Sequence, residues 1–221
     1  MSVGEVIVRF ALAAITGYLL GSVPSGVLVG RIFGKSDPRT RGSGKTGATN
    51  VLRTAGRGPA LLVVIMDIAK GVIPVLIVRY ILLPLPQLTE PGAHNLQASG
   101  EAVAGFAALL GHNFSVFIHF RGGRGVATGA GGVLAMTPLA VLCGFVALVV
   151  PIVITRYVSL GSIIGAAVSG IVALALALTG HDYLPHAIFA LSSAAVVIAS
   201  HHDNMHRLLQ GTERKLGEKA H

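Results

Sequence analysis

The chain has 221 residues, 52% of them hydrophobic and only 12% charged, with a formal net charge of +8. A soluble domain of this length would carry about 25% charged residues; a mean hydropathy of +0.74 and apolar runs near the roughly 20 residues that cross a bilayer exclude that class. A single all-α, polytopic membrane domain over residues 1–221 is expected, and the absence of Trp with only 5% aromatic residues argues against a nucleic-acid partner that needs stacking surfaces.

A first span is expected over residues 3–33. Its opening Met1-Ser2-Val3-Gly4-Glu5 has no basic start, so the segment is expected to be retained as a span. Gly17, Gly21, Gly26 and Gly30 give small-xxx-small spacings that let helices approach closely. Pro24, with Ser22 and Ser25 around it, is expected to kink the span.

Residues 37–53 form a polar island in this apolar chain. They gather Arg39, Arg41, Lys45 and Arg53 with Gly42, Gly44 and Gly47, and with Ser43, Thr46, Thr49 and Asn50. Glycines let a backbone wrap closely around a small ligand, and turned amides beside cations favour an oxyanion such as phosphate. An arginine fork can grip two phosphate oxygens at once. A positive loop at a membrane surface also serves topology alone. Gly42-Ser43-Gly44-Lys45-Thr46 looks like the end of a Walker A loop, but Arg39 stands where that motif needs its first glycine.

A second span is expected over residues 51–83, with Asp67 and Lys70 one turn apart as an ion-pair clasp facing the bundle. Residues 84–97 contain no Lys or Arg, and a third span is expected over 98–118. The second polar cluster, His119-Phe120-Arg121-Gly122-Gly123-Arg124-Gly125, opens a glycine-rich run. A turn of this kind leading into a helix N-terminus favours an anion, because free amides and the helix dipole point the same way.

Residues 126–155 fit either one span or two. One span would put Arg156, Arg207, Arg214, Lys215 and Lys219 on the face opposite the first two basic clusters. Two spans, broken near Met136-Thr137-Pro138, put them all on one face, which the orientation rule favours. The first of the two is then a short helix. Further spans are expected over 157–178 and 184–200, giving seven with the N-terminus outside and the C-terminus cytoplasmic. Of 17 Lys and Arg residues, 14 then lie on the cytoplasmic side, the exceptions being Arg9, Lys70 and Arg79.

The third cluster, His201-His202-Asp203-Asn204-Met205-His206-Arg207, shares that face. His201 and Asn204 are one turn apart on a helix. The histidine is open to use as a base, a phosphate donor or a metal ligand, or simply as a complement to the helix dipole. A metal site has little support, since no Cys/His or carboxylate-rich cluster accompanies it. The sole cysteine, Cys143, lies in an apolar run and is expected in the core.

In these clusters the chain resembles the bacterial acyl-phosphate:glycerol-3-phosphate acyltransferases, the PlsY family, nearly from end to end. The matching stretches are Gly21-Ser22-Val23-Pro24-Ser25-Gly26, Gly42-Ser43-Gly44, Gly47-Ala48-Thr49-Asn50-Val51-Leu52-Arg53 and Asp67-Ile68-Ala69-Lys70-Gly71. Gly111-His112-Asn113-Phe114, Phe120-Arg121-Gly122-Gly123-Arg124-Gly125-Val126-Ala127-Thr128, Arg156-Tyr157-Val158-Ser159-Leu160, His201-His202-Asp203-Asn204 and Gly211-Thr212-Glu213 complete the set.

The resemblance implies acyl transfer from acyl phosphate to the 1-hydroxyl of sn-glycerol 3-phosphate, giving lysophosphatidic acid and phosphate. It implies no cofactor, a bacterial cytoplasmic membrane with the site facing the cytoplasm, and supply by an upstream enzyme that forms acyl phosphate. Ser43, Arg53, His201 and Asn204 match the family's catalytic residues. Gly122, Gly123 and Gly125 match its phosphate-binding turn, and Gly42, Gly44, Lys45, Thr49, Asn50 and Arg124 fall beside these motifs as substrate-binding positions. Glu213 matches a structural glutamate, to be set beside Asp67 and Lys70. The chain departs from the family in having Lys45 where Asn is usual and Arg124 where Lys is usual.

Acyl phosphate is a mixed anhydride with a good leaving group, so no acyl-enzyme is required. Either the acceptor's own phosphate or His201 would take the hydroxyl proton. Two other classes compete with this reading. An anion transporter would fit the broken helices, although the polar groups crowd one face. A CDP-alcohol phosphotransferase would need an aspartate-rich motif, whereas Asp37, Asp67, Asp182 and Asp203 are scattered.

Overall fold

A computed structural model describes residues 1–34, 37–85 and 92–218. Residues 86–91 of the connection expected to lack Lys and Arg, together with Lys35 and Lys219, lie outside the described residues. Every regular element among the described residues is helical. The helices are α1 (Val3–Gly21), α2 (Ser25–Ile32), α3 (Ala48–Ala55), α4 (Arg57–Ile77), α5 (Ala93–Asn113), α6 (Val126–Met136), α7 (Pro138–Thr155), α8 (Val158–Leu178), α9 (Leu184–Ala199) and α10 (His202–Leu209).

The first expected span holds, as α1 and α2 with a break at residues 22–24. Ser2 starts α1 by accepting from the Glu5 N–H while the Glu5 carboxylate accepts from the Ser2 N–H, a reciprocal cap. The second expected span does not begin at residue 51. Gly56, at φ 95°, turns the chain out of helical geometry. Residues 48–55 therefore form a separate amphipathic helix, and the long apolar helix starts at Arg57. Val51 is fully buried with Val29, Ala60 and Val63, which packs α3 onto α2 and α4. This contact fixes the place of α3, which carries Asn50 and Arg53.

Five helical stretches are long and apolar enough to cross a membrane, from Val3–Ile32 to Val158–Leu178, and a sixth if Leu184–Ala199 is joined to His202–Leu209 across a bend of 56°. The shorter α6 ends at Thr137, where the expected break falls, and its 11 residues span about 16 Å. Helices in a bilayer gain little from hydrophobic exclusion and depend on close packing. Glycines supply that closeness here. A Cβ on Gly17 or Gly21 of α1 would run into the carbonyls of Ala104 or Ala108 in α5. One on Gly71 of α4 would run into the Thr128 carbonyl, and one on Gly131 of α6 into that of Ile68.

The three cations expected to break the charge bias each have partners. Arg9 donates to the Leu82 carbonyl at 2.6 Å. Lys70 stands 2.9 Å from Asp67 and donates to the Val23 carbonyl at 3.0 Å, so it pins the break in the first span. Arg79 forks Glu101 at 2.9 and 2.7 Å and donates to the Ala135 carbonyl near the end of α6 at 2.8 Å. His186 extends that network, 3.2 Å from Glu101 and 2.7 Å from Asp182, and Thr137 donates to Asp182.

Candidate functional site

The first motif is shaped by Asn50. Its buried side chain accepts from the Ser43 N–H at 3.0 Å and donates to the carbonyls of Pro38, Lys45 and Arg41 at 2.7, 2.9 and 3.1 Å. The loop can fold around one amide because Gly42 and Gly44 take φ of 64° and 67°, the left-handed region that costs glycine little. The Asn50 amide is thereby spent on the loop itself. Arg39 is likewise held by Asp37 at 2.7 Å. Lys45 is exposed, and no hydrogen bond engages the Ser43 hydroxyl, Thr49 hydroxyl or Lys45 ammonium among the described residues.

One turn beyond Asn50, Arg53 donates Nη2 to the Arg214 carbonyl at 3.3 Å, and its buried Nε has no partner. Burial and the nearby Arg214 push its pKa down, against the pull of Glu213. Arg124 donates Nε to the Ser200 carbonyl at 3.2 Å, and burial followed by Arg207 pushes its pKa down too. Arginine stays charged in proteins. These shifts therefore mark first the burial of both guanidinium groups, and then the positive charge of neighbouring arginines.

In the second motif the amides of Gly122 and Gly123 are already engaged, donating to the carbonyls of Asn113 and His112 at 3.1 and 3.2 Å. The next amide with a helical acceptor is that of Gly129, bonded to the Gly125 carbonyl at 2.7 Å. Among the described residues no acceptor takes the N–H groups of Arg124 to Thr128. Five free amides at the start of α6, with the helix dipole behind them, make an anion cradle.

The third motif closes the arrangement. His201 is 3% exposed, and its Nδ1 lies 2.8 Å from the Val197 carbonyl. A carbonyl only accepts, so Nδ1 carries the proton and Nε2 presents a lone pair. Burial lowers the His201 pKa to about 4, with Arg124 adding to the effect against the Val197 bond. It is neutral at pH 7. Asn204 donates Nδ2 to Glu213 Oε1 at 2.6 Å, while its Oδ1 is buried without a partner. Glu213 also accepts from Ser159 at 2.9 Å and from Arg207 at 2.7 Å. Burial alone would raise its pKa, but these three donors bring it below the usual value.

The structure thus gathers Arg53, Arg124, His201, Asn204 and Glu213 at one end of the bundle, and ties Ser43 to them through Asn50 on α3. Reasoning from sequence missed Ser159, Arg207, Ser200 and the carbonyl of Arg214. Arg207 carried a signal, standing one turn after Asn204. Ser159 lay in a stretch already singled out, without a partner to give it meaning. Beside the site an apolar cavity of about 90 Å³ runs between α6, α7, α8 and α9, lined by residues that include Val126, Val133, Phe145, Leu148 and Val197. Among the described residues no group of three or more His, Cys, Asp or Glu side chains is placed to hold a metal ion.

Comparisons with known proteins agree on one family. The family described as glycerol-3-phosphate acyltransferase matches residues 11–211. Glycerol-3-phosphate acyltransferase 2 of Moorella thermoacetica is 42% identical over 209 residues, covering 95% of this chain and 98% of its own. Glycerol-3-phosphate acyltransferase 1 of Deinococcus radiodurans is 43% identical over 209 residues, covering 95% and 96%. The crystal structure of PlsY (YgiH), an integral membrane glycerol 3-phosphate acyltransferase, superposes in its glycerol 3-phosphate form with a TM-score of 0.78 at 34% identity, covering 94% of this chain and 96% of that one. Its lysophosphatidic acid form gives 0.75 at 32% identity, covering 94% and 95%. With a cationic cradle at one end of an apolar helical bundle and these relatives along almost its whole length, the chain belongs to the glycerol-3-phosphate acyltransferase family and is an integral membrane acyltransferase.

Proposed function

We propose that this chain, as one domain, transfers a fatty acyl group from acyl phosphate to the 1-hydroxyl of sn-glycerol 3-phosphate, releasing 1-acyl-glycerol 3-phosphate and inorganic phosphate. The observation that carries the reading is the run of N–H groups at residues 124–128 without an acceptor, on the turn that bears Arg124, whose charge feels those of Arg53 and Arg207, with an apolar cavity along α6. The cradle suits a phosphate and the cavity suits a hydrocarbon tail, as a donor combining both would need. The forms of PlsY bearing glycerol 3-phosphate and lysophosphatidic acid support the acceptor and the product.

Catalysis then rests on positioning and charge. Arg53 and Arg124 hold the phosphate groups and offset the charge that develops on the leaving phosphate. Asn204 presents its unpartnered Oδ1 to a substrate hydroxyl. Among the described residues no hydrogen bond joins the Ser43 hydroxyl to His201, and a mixed anhydride has a leaving group good enough to need no acyl-enzyme. The acceptor oxygen attacks the acyl carbon directly as the anhydride C–O bond breaks. Burial holds His201 neutral and lowers its pKa to about 4, which makes it a weak base, whereas a phosphate ester has a second pKa of about 6. In this reading the hydroxyl proton passes to the acceptor's own phosphate, and His201 has a positioning role.

The basic clusters favour a site on the cytoplasmic face of a bacterial cytoplasmic membrane, in a chain read as having seven crossings that include α6 and an N-terminus outside. An upstream enzyme supplies acyl phosphate there. The test is product formation by purified protein in lipid, with labelled glycerol 3-phosphate and palmitoyl phosphate, palmitoyl-CoA or palmitoyl-acyl carrier protein in parallel. Lysophosphatidic acid from palmitoyl phosphate alone is expected. Product from a thioester, or none from any donor with folded protein, would overturn the assignment.

A further inference from the structure

Gly122 and Gly123 are not required by their backbone angles, since of the turn's glycines only Gly125 has a positive φ, 79°. They are required by what lies beneath. A Cβ on Gly122 would run into the carbonyl oxygens of His112 and Asn113, and one on Gly123 into Nε2 of the His112 ring. The same two carbonyls take the amides of both glycines. The last two residues of α5 therefore seat the turn through backbone and imidazole together.

Both seat residues are buried. His112 is 5% exposed, and its Nδ1, which has no hydrogen-bond partner, lies 3.6 Å from the Asp67 carboxylate that Lys70 pairs at 2.9 Å. Asn113 is 6% exposed and donates Nδ2 to Ser200 Oγ at 3.1 Å. Ser200 precedes His201 and gives its carbonyl to Arg124. The Asn113 Oδ1, buried without a partner, faces Gly125.

We propose that His112 and Asn113 are positioning residues of the acyltransferase. They absorb the amides of Gly122 and Gly123, leave those of residues 124–128 free for phosphate, and fix the distance from this cradle to His201 through Ser200. The kinetic consequence rests on the reaction proposed above; the contact itself does not. The Asp67–Lys70 pair lies one step further back, beside the imidazole that Gly123 rests on.

A double-substitution cycle separates this role from general stability. Purified protein in lipid would be compared as Gly123→Ala, Gly122→Ala, His112→Ala and the two double variants with His112→Ala. The readouts are KM for glycerol 3-phosphate, kcat, Tm, and the rise in Tm caused by inorganic phosphate. Gly123→Ala is expected to raise KM about tenfold and to shrink the phosphate-induced rise, with a smaller effect on kcat. Adding His112→Ala removes the obstructing ring and is expected to recover at least about threefold of that loss. It recovers nothing for Gly122→Ala, whose obstacle is backbone that alanine retains. If His112→Ala does not fold, His112→Asn runs the same cycle with a shorter side chain. Additive effects in the Gly123 pair, or equal recovery in the Gly122 pair, would overturn the proposal. Recovery of the phosphate-induced rise with no acyl transfer, even by the unsubstituted enzyme, would support the seat while removing the assigned reaction.

Discussion

Asn204 donates its side-chain amide to Glu213 over 2.6 Å, and this bond makes the segment after α10 a wall of the site. Glu213→Gln keeps the size but removes the charge that Arg207 and Asn204 both lean on. Leaving buried partners unsatisfied costs about 1–3 kcal/mol, so a drop of 10- to 100-fold in kcat/KM with a lower Tm is expected. Steady-state kinetics and a melting curve check it. An unchanged kcat/KM would show that this wall only covers the site.

His201→Gln is expected to slow transfer while leaving the pH dependence of kcat/KM near pH 6 in place, because the proposed reaction assigns that inflection to the acceptor's phosphate. A rate profile from pH 5 to 8 decides the matter. A profile that turns flat in the variant would assign the proton to the histidine.

The same residue makes stability depend on pH. Its folded pKa of about 4 lies below the value near 6.5 of an unfolded chain. The unfolded state therefore binds the proton first. The contribution is full above about pH 6.5 and is lost as pH falls towards 4, to an extent on the order of 3 kcal/mol. Tm measured from pH 7 to 4.5 should fall more steeply in the unsubstituted protein than in His201→Gln.

Asn50→Asp should be more damaging than its small change in shape implies. It puts a carboxylate against three backbone carbonyls in a buried loop, at a cost of about 3 kcal/mol or more. The expected readout is a loop that proteases cut and a large rise in KM. Lys45→Asn, at an exposed cation without a partner, should leave Tm unchanged and alter KM by less than about fivefold, with the difference vanishing in high salt.

Arg79→Met breaks the fork on Glu101 at the far end of α6. Glu101 is buried and Arg79 half-buried, so removing the arginine leaves a buried carboxylate short of its partner, at a cost of up to about 3–5 kcal/mol. Lower Tm with an unchanged KM for glycerol 3-phosphate is expected, in contrast to Gly123→Ala. A shifted KM would mean that the whole of α6 slides when its far end is released.

Much of this molecule is legible in its residue order because apolar runs and basic clusters are local patterns. The break at Thr137 and the pairing of Asp67 with Lys70 both follow from short spacings. The start of α4 was misplaced for the opposite reason. Gly56 sits among residues of good helical pattern, and only its positive φ separates α3 from α4. The seat under the turn was invisible because His112 and Gly123 meet through a bend whose path no periodicity encodes. Glu213 and Ser159 are 54 residues apart in sequence, and Glu101 meets His186 from a different helix altogether. Such pairings belong to the three-dimensional packing, and composition cannot announce them.

The contacts of Glu213, Arg214 and Leu216 also act as a clasp. Glu213 joins α8 to α10, the Arg214 carbonyl takes Arg53, and Leu216 exchanges two bonds with Arg156, each of 2.7 Å. All three residues follow every apolar helix among the described residues. The long helices pack through contacts of their own, so loss of this one segment would unfasten α3, α8 and α10 from each other at the candidate site while leaving that helical frame its own packing.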